Sequence, residues 1–165
     1  MATEAAAVAD LAEFERFYAQ MLPVRRIGEA VVRRPGGDVT IVSALACVET
    51  SLAAAQELAE EGIEAEVLDL RSLRPLDSEA IAESAGRAGR PVVVEEAPPM
   101  GGSAAEVVAA AVELAWPVPA RPVTMPDVPI PFGPVLEDAV IPSSRDVVDA
   151  VSSLVGEPAR ASYAP

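Results

Sequence analysis

The sequence predicts a three-layer α/β/α sandwich around a mostly parallel five-stranded sheet whose first strand is antiparallel. Short β-branched runs alternate with longer amphipathic segments, which is the pattern of strand–helix–strand units. Hydrophobic residues make up 51% of the chain but aromatic residues only 4%, so small aliphatic side chains must build the core. Such a composition suits close packing of helices on a sheet, and 165 residues are enough for one domain.

Five segments have the composition of strands, being short and rich in β-branched residues. The first two are separated only by a turn at Pro35–Asp38, and we expect them to be antiparallel neighbours because a parallel pair needs a long crossover. The later strands follow helices and are expected to be parallel. The predicted strands are Gly28–Arg33, Val39–Ser43, Glu64–Leu70, Pro91–Glu95 and Arg121–Met125.

Helices are predicted between and after these strands. The clearest covers Val48–Glu61 and ends at Gly62, where a left-handed glycine would close the helix in a Schellman motif. Ser103 and Glu106 have the spacing of a capping box, in which each side chain bonds the backbone N–H of the other residue. The predicted capping residues of the three later helices are Asp77, Ser103 and Ser143.

The chain is predicted to divide into three parts. Residues 1–22 form a leader helix, because Phe14, Phe17 and Tyr18 recur at helical spacing and Pro23 ends the pattern. Residues 23–156 form the α/β domain, and residues 157–165 lack periodicity and are expected to be disordered. Within the domain, four prolines in Pro126–Pro134 predict a stiff, extended loop.

The net charge is −14 and there is no histidine. Nucleic acid and anionic membrane surfaces would both be repelled by this charge, so neither is an expected partner. The lack of histidine excludes Ser-His-Asp and Cys-His catalytic sites, and Cys47 alone supplies neither a disulfide nor a zinc site. The Ala-rich start has no basic region, so no signal peptide is predicted and a cytoplasmic location is expected.

In an open parallel sheet, ligands bind at the carboxyl ends of the strands, where loops 44–47, 71–75 and 95–102 are predicted to meet. Arg71 and Arg74 would clamp a carboxylate or phosphate there. The alternative, which we favour, is that they pair with nearby acidic side chains and stiffen the corner. The candidate acidic partners are Asp69, Asp77, Glu95 and Glu96.

Three further features of these loops have a functional and a structural interpretation. Gly101 and Gly102 precede a helix like a phosphate cradle, but Glu106 in the first turn would repel a phosphate. Glu95 and Glu96 would share a proton as a general acid, yet adjacent strand residues point to opposite faces, so we expect one of them to meet an arginine. Cys47 would be a nucleophile only beside a base, and we expect a buried, inert thiol.

Together these motifs resemble the C-terminal domain of the transketolase family. The closest version is that of the beta subunit of 2-oxo acid dehydrogenase decarboxylating components, such as pyruvate or branched-chain oxo-acid dehydrogenase. The resemblance runs from about Leu22 to Val155 in the family's order. It rests on Leu22–Ala30, Gly37–Val42, Glu66–Asp77, Val92–Glu96, Gly101–Glu106 and Asp127–Phe132, followed by Leu136 and Glu137.

Two departures from the family pattern fall on loops at the strand ends. Ala44–Leu45 stands where the family has an aromatic–glycine pair. Gly101–Glu106 reads Gly-Gly-Ser-Ala-Ala-Glu where the family has Gly-Gly-Phe-Gly-Ala-Glu. The domain would meet its neighbours at these loops, so the interface there need not be the family's usual one.

The resemblance implies a supporting role, with no catalytic, cofactor-binding or metal-binding residue in this chain. In that family thiamine diphosphate, with Mg, lies between a diphosphate-binding and a pyrimidine-binding domain, and 165 residues leave no room for either. The implied partners are chains carrying those two domains, a lipoyl acyltransferase core and further copies of this chain. The implied reaction of the assembly is decarboxylation of a 2-oxo acid with transfer of the acyl or acetaldehyde-level unit.

Contacts with partner chains are predicted at large apolar side chains on exposed segments. They are Phe14, Phe17 and Tyr18 of the leader helix and Pro129, Phe132 and Leu136 of the proline-rich loop and its continuation. The alternative is that Phe132 only seals the edge of the domain core. Two other functions stay open at this point. One is a non-catalytic binding or scaffold module that kept the fold without the enzyme, and the other is a small-molecule binder that uses the strand-end cleft.

Overall fold

A computed structural model describes residues 28–115 and 119–156. The leader helix predicted for residues 1–22, with Phe14, Phe17 and Tyr18, and the tail 157–165 lie outside the described residues. No helix in the described part is long and apolar enough to cross a membrane. The elements in chain order are β1 Val31–Arg34, β2 Val39–Ser43, α1 Cys47–Glu60, β3 Ala65–Asp69, α2 Ser78–Ala88, β4 Pro91–Glu95, α3 Ala104–Ala115, β5 Arg121–Thr124, α4 Pro134–Asp138 and α5 Ser144–Val155.

The five strands form one sheet in the order β1-β3-β2-β4-β5. Strand β2 lies between β3 and β4 and is parallel to both, and β5 adds in parallel beside β4. Strand β1 is antiparallel to its neighbour β3. The predicted architecture, including the reversed first strand, is therefore confirmed. The prediction that β1 lies beside β2 is wrong, because β3 comes between them.

The turn between β1 and β2 explains this arrangement. It crosses over the start of β3, where the N–H groups of Gly37 and Asp38 donate to Glu64 O at 2.9 and 3.0 Å. A Cβ atom at Gly36 would overlap the backbone at Ala65 and would lie 2.5 Å from Glu64 O. The short connection thus passes across the edge of a third strand, which the length of the turn alone does not reveal.

The sheet is covered on both faces by helices. On one face α1 and α5 pack against alternate residues of the central strands, with Ile41, Val67 and Val92 fully buried. On the other face α2 and α3 pack against Val42, Leu68 and Val93, which are also buried. Burial of each such side chain stabilises the fold by roughly 1.5–3 kcal/mol relative to exposure. The core is therefore split into two apolar layers by the sheet, as the composition predicts.

Local signals set most helix ends. Helix α1 ends at Gly62 with φ +81°, and Ile63 N donates to Leu58 O at 3.0 Å, which confirms the predicted Schellman motif. The carboxylate of Asp77 accepts from Ala80 N at 3.1 Å and caps α2. Ser143 caps α5 in a full capping box with Asp146. Hydrogen bonds to Ser143 lower the pKa of Asp146.

A buried polar group closes the amino end of the sheet beneath α2. Glu66, only 3% exposed, accepts from Ser84 Oγ and from the Arg87 guanidinium. Thr40 Oγ1 donates to Ser84 O at 3.1 Å in the same cluster. Each buried polar side chain named here has a hydrogen-bond partner, so this cluster is satisfied within the domain.

Candidate functional site

A cleft of 470 Å³ lies at the carboxyl ends of the parallel strands. It is formed by the loops that follow β2, β3 and β4, the same three loops that the sequence places there. In open parallel sheets this is the edge at which ligands bind. We call it the strand-end cleft. Its lining residues are Ala44, Leu45, Leu73, Glu95, Glu96, Ala97, Gly101, Gly102 and Ser103.

Glu95, the last residue of β4, organises the loop on one side of the cleft. Its Oε2 atom accepts from Ser103 N at 2.8 Å and from Ser103 Oγ at 2.5 Å. A Cβ atom at Gly102 would overlap Glu95 Oε1, so glycine is needed for the carboxylate to fit. Within the described residues Oε1 is buried and has no hydrogen-bond partner.

Two predictions about this region are wrong. The capping box of Ser103 and Glu106 does not form, because Glu95 takes the backbone N–H that Glu106 would have bonded. The expectation that Glu95 or Glu96 meets an arginine is also wrong, since Glu95 binds Ser103 and neither carboxylate forms an ion pair among the described residues. The carboxylate that bonds the start of α3 therefore comes from Glu95 at the end of β4. The sequence assigned this role to Glu106 in the first turn of the helix.

The described residues do not fit thiamine diphosphate. The glycine pair before α3 looks like a phosphate cradle in sequence, but the carboxylate of Glu95 already lies against Gly102 and bonds Ser103. A diphosphate there would meet a negative charge in place of free N–H donors. No group of three or more His, Cys, Asp or Glu side chains that could hold a metal ion occurs among the described residues.

Cys47 lies at the first residue of α1 and is 2% exposed. Burial raises the pKa of the Cys47 thiol to about 11, and the nearby charges of Glu96 and Glu95 add to this effect. A thiol with such a pKa is protonated at neutral pH and is a poor nucleophile. The structure therefore agrees with a buried, inert cysteine.

Arg71 and Arg74 do not behave as expected. Asp69 pairs with Arg33 at 3.3 Å, and Asp77 accepts from Ala30 N at 2.8 Å. Neither Arg71 nor Arg74 forms a side-chain ion pair within residues 28–115 and 119–156. Asp69 Oδ1 accepts from the backbone N–H of Arg71 at 3.0 Å, so Arg71 meets this acid only through its main chain. The favoured interpretation, that the two guanidinium groups pair with nearby acids, is therefore wrong for the described residues. Asp77 and Glu95 bond other groups, and Glu96 is exposed.

Each of the three loops carries one large, exposed apolar side chain. Leu45 and Leu73 line the strand-end cleft, and Met100 precedes the lining residue Gly101. Leu45 is 75% exposed, Leu73 48% and Met100 84%. Leu45 also has φ +55°, a left-handed conformation that costs a non-glycine residue roughly 1–2 kcal/mol. Sequence reasoning did not name these three residues as contact residues. For Met100 the signal is its place between two prolines and two glycines, whereas Leu45 lies between alanines and has no such signal.

A second exposed apolar surface lies on the proline-rich loop and α4. We call it the proline-loop patch, and it contains Val128, Ile130, Phe132, Val135 and Leu136. Phe132 is fully exposed, so the alternative that it seals the core is wrong. Pro129 and Leu136, the other predicted contact residues in this region, are exposed as well.

The start of the loop is anchored to the domain. Met125 is 2% exposed, and its N–H donates to Ala97 O at 3.1 Å. No helix or strand occurs from residue 126 to 133, as the four prolines predict, and α4 begins at Pro134. The patch therefore extends from a fixed point beside the strand-end cleft.

Comparison with known proteins gives a consistent result. A profile of the family described as "Transketolase, C-terminal domain" matches residues 28–147. The acetoin:2,6-dichlorophenolindophenol oxidoreductase subunit beta of Bacillus subtilis is 40% identical over 136 residues, covering 81% of this chain. The mitochondrial pyruvate dehydrogenase E1 component subunit beta of Drosophila melanogaster is 42% identical over 134 residues, covering 79% of this chain.

A solved structure described as "Split gene transketolase, inactive beta4 tetramer" is also similar. It is 38% identical, covers 78% of this chain and superposes with a TM-score of 0.68. The chain spans less than half the length of these relatives, namely 40%, 37% and 41%. Fold, profile and identity agree, and the chain belongs to the transketolase C-terminal domain family.

Proposed function

We propose that this chain is a non-catalytic assembly domain of a thiamine-diphosphate-dependent 2-oxo acid dehydrogenase, decarboxylase or transketolase-like enzyme. Thiamine diphosphate and Mg²⁺ are bound by domains outside these 165 residues. The observation that carries the proposal is the proline-loop patch, a run of exposed apolar side chains on a family domain whose strand-end cleft does not fit the cofactor. The reaction that we propose for the whole assembly is decarboxylation of a 2-oxo acid with transfer of the remaining unit.

The proline-loop patch has the physical properties of an interface. Its five large apolar residues are between 45% and fully exposed, within nine consecutive positions. Monomeric proteins rarely leave such side chains clustered in water, because covering them by a partner is favourable. The prolines restrict the loop before binding, so less conformational entropy is lost when the partner docks. Phe132 is the natural anchor, since aromatic side chains dominate interface energetics.

The partners we propose are the polypeptide segments that carry the diphosphate-binding and pyrimidine-binding domains. The relatives support an assembly, since two are named as beta subunits and one is described as a beta4 tetramer. Further copies of this chain and a lipoyl acyltransferase core are additional proposed partners. A cytoplasmic location stays a prediction from the sequence.

Coexpression with the products of the adjacent genes tests the proposal. We expect a complex that turns over a 2-oxo acid only when thiamine diphosphate is added, and we expect no turnover by this chain alone. The double variant Phe132→Ser, Leu136→Ser should weaken binding of this chain to its partners at least about tenfold, because it removes two apolar side chains that the partner would bury. Val32→Ser on β1, where Val32 is 45% exposed, is the matched control and should bind normally.

Two results would contradict the proposal. If this chain alone turned over the oxo acid, a catalytic site would have to exist in it. If no complex formed, or if the complex showed no thiamine-dependent turnover, the alternative of a scaffold module that kept the fold without the enzyme would hold instead.

A further inference from the structure

We propose that the strand-end cleft receives a basic side chain, lysine or arginine, with apolar neighbours, from the polypeptide on which this domain docks. This inference rests on the proposed function. It concerns a different surface, since the strand-end cleft and the proline-loop patch share no residue. The occupant is defined by its chemistry, a cation carried on an apolar stem. Three observations support it, namely the charge of the lining, an unpaired carboxylate oxygen and the apolar rim.

The charge of the lining is negative only. Glu95 and Glu96 are the charged residues among the nine that line the cleft, and no arginine is among them. Their field reaches the adjacent Cys47, where both carboxylates favour the protonated thiol. An anionic ligand would be repelled by this pair, whereas a guanidinium or ammonium group would be attracted. A metal ion is disfavoured, because the described residues group no more than two such ligands here.

Glu95 carries a hydrogen-bond acceptor that the described part of the chain does not satisfy. Its Oε2 atom is held by Ser103, and its Oε1 atom is buried without a partner. A buried polar atom left in this state costs roughly 1–3 kcal/mol. Because Oε1 lies against Gly102, which lines the cleft, the negative charge of Glu95 is held beside that wall of the cleft and attracts a cation placed there. Glu96 is exposed beside it and supplies a second, adaptable carboxylate.

The rim favours a polypeptide over a free cation. Leu45, Leu73 and Met100 are all largely exposed, and each comes from a different loop of the cleft. They can pack against the methylene stem of a lysine or arginine and against its apolar neighbours. Apolar contacts around a charge pair also exclude water and strengthen the pair. Leu45 remains exposed in a left-handed conformation, so its side chain gains little within the domain itself.

A peptide experiment with the full chain tests the inference directly. The probe is acetyl-Leu-Arg-Leu-amide, and its control is the same peptide with citrulline, which has the shape of arginine without its charge. We expect saturable shifts of the backbone amide NMR signals of Gly101, Gly102 and Ser103 with the arginine peptide only. The dissociation constant of so small a probe is expected in the millimolar range.

Substitutions assign the effect to the cleft. Glu96→Gln should weaken binding of the arginine peptide roughly threefold or more, since a partly exposed charge pair is lost. Glu113→Gln, an exposed acid on α3 outside the cleft, is the matched control and should bind like the wild type. Thermal melting of both variants checks that they are folded.

The outcomes separate this inference from the proposed function. Equal shifts with both peptides, or equal binding by Glu96→Gln and Glu113→Gln, would overturn the inference and leave the proposed function standing. Specific binding of the arginine peptide, combined with failure to form a thiamine-dependent complex, would support a basic-segment docking site and overturn the proposed function.

Discussion

The two ends of the sheet differ in how completely their polar groups are paired. At the amino end, Glu66 is bonded by Ser84 and Arg87 under α2, and the β1–β2 turn is closed against Glu64. At the carboxyl end, Glu95 Oε1 and Ser43 Oγ are buried without partners among the described residues. The exposed leucines of the cleft, Leu45 and Leu73, lie at this second end.

The difference indicates that the amino end of the sheet serves the stability of the domain and the carboxyl end serves recognition of a partner. An end at which Glu66, Thr40 and Ser84 are bonded to one another and to Arg87 contributes to folding. An open end with unpaired acceptors and exposed apolar side chains is costly for the isolated domain, and covering it would recover that cost. We therefore expect the two ends to respond differently to substitution.

The largest effect is expected from Gly36→Ala at the closed end. The added Cβ would overlap the backbone of Ala65, and a backbone cannot move aside without disturbing β3. We expect the free energy of unfolding to fall by about 3 kcal/mol. Gly37→Ala is the control in the same turn, since nothing lies within 4 Å of its Cβ position. Urea denaturation of both variants measures the difference.

The matching substitution at the open end is Gly102→Ala. Its Cβ would overlap the side chain of Glu95 and would lie 2.9 Å from Pro98 O. A side chain can rotate away, so the loss should be smaller than for Gly36→Ala, about 1–2 kcal/mol. Equal losses at both glycines would show that the two ends are equally rigid and would contradict the comparison.

An intermediate effect is expected from alkaline pH through Cys47. Its pKa rises from 9.0 to about 11 on folding, so the folded state holds the proton more tightly than the unfolded state. The resulting stability is fully present below pH 9 and is lost as the pH rises toward 11. Between pH 8 and 10 the wild type should lose about 1 kcal/mol relative to Cys47→Ala. Parallel curves for the two proteins would refute a buried thiol beside two carboxylates.

The smallest effect is expected from Leu45→Gly. Glycine adopts the left-handed conformation of this position without strain, and the lost side chain is 75% exposed. The free energy of unfolding should therefore stay unchanged or rise by up to about 1 kcal/mol. Leu73→Gly, whose position has no positive φ, should instead be destabilising. A clear loss of stability in Leu45→Gly would mean that this leucine serves the fold and not a partner.

The sequence predicted features that depend on neighbouring residues. The Schellman end of α1 at Gly62 and the caps at Asp77 and Ser143 are all confirmed, because each involves groups a few positions apart. The break in regular structure from residue 126 is confirmed for the same reason, since proline restricts its own backbone. The partner role of Pro129, Phe132 and Leu136 stays a prediction, although their exposure agrees with it.

By itself, then, the sequence determined the five strands, the helices α1, α2, α3 and α5, the layered fold and the family, since these follow from periodicity, local capping and motif order. It did not predict the short helix α4. Only the tertiary structure decided that β1 pairs with β3, that Glu95 and not Glu106 bonds the start of α3, and that the guanidinium groups of Arg71 and Arg74 form no ion pair among the described residues. Each of these is a competition among groups far apart in the chain. The outcome depends on which group lies within bonding distance in the folded structure. Spacing along the sequence does not contain that information.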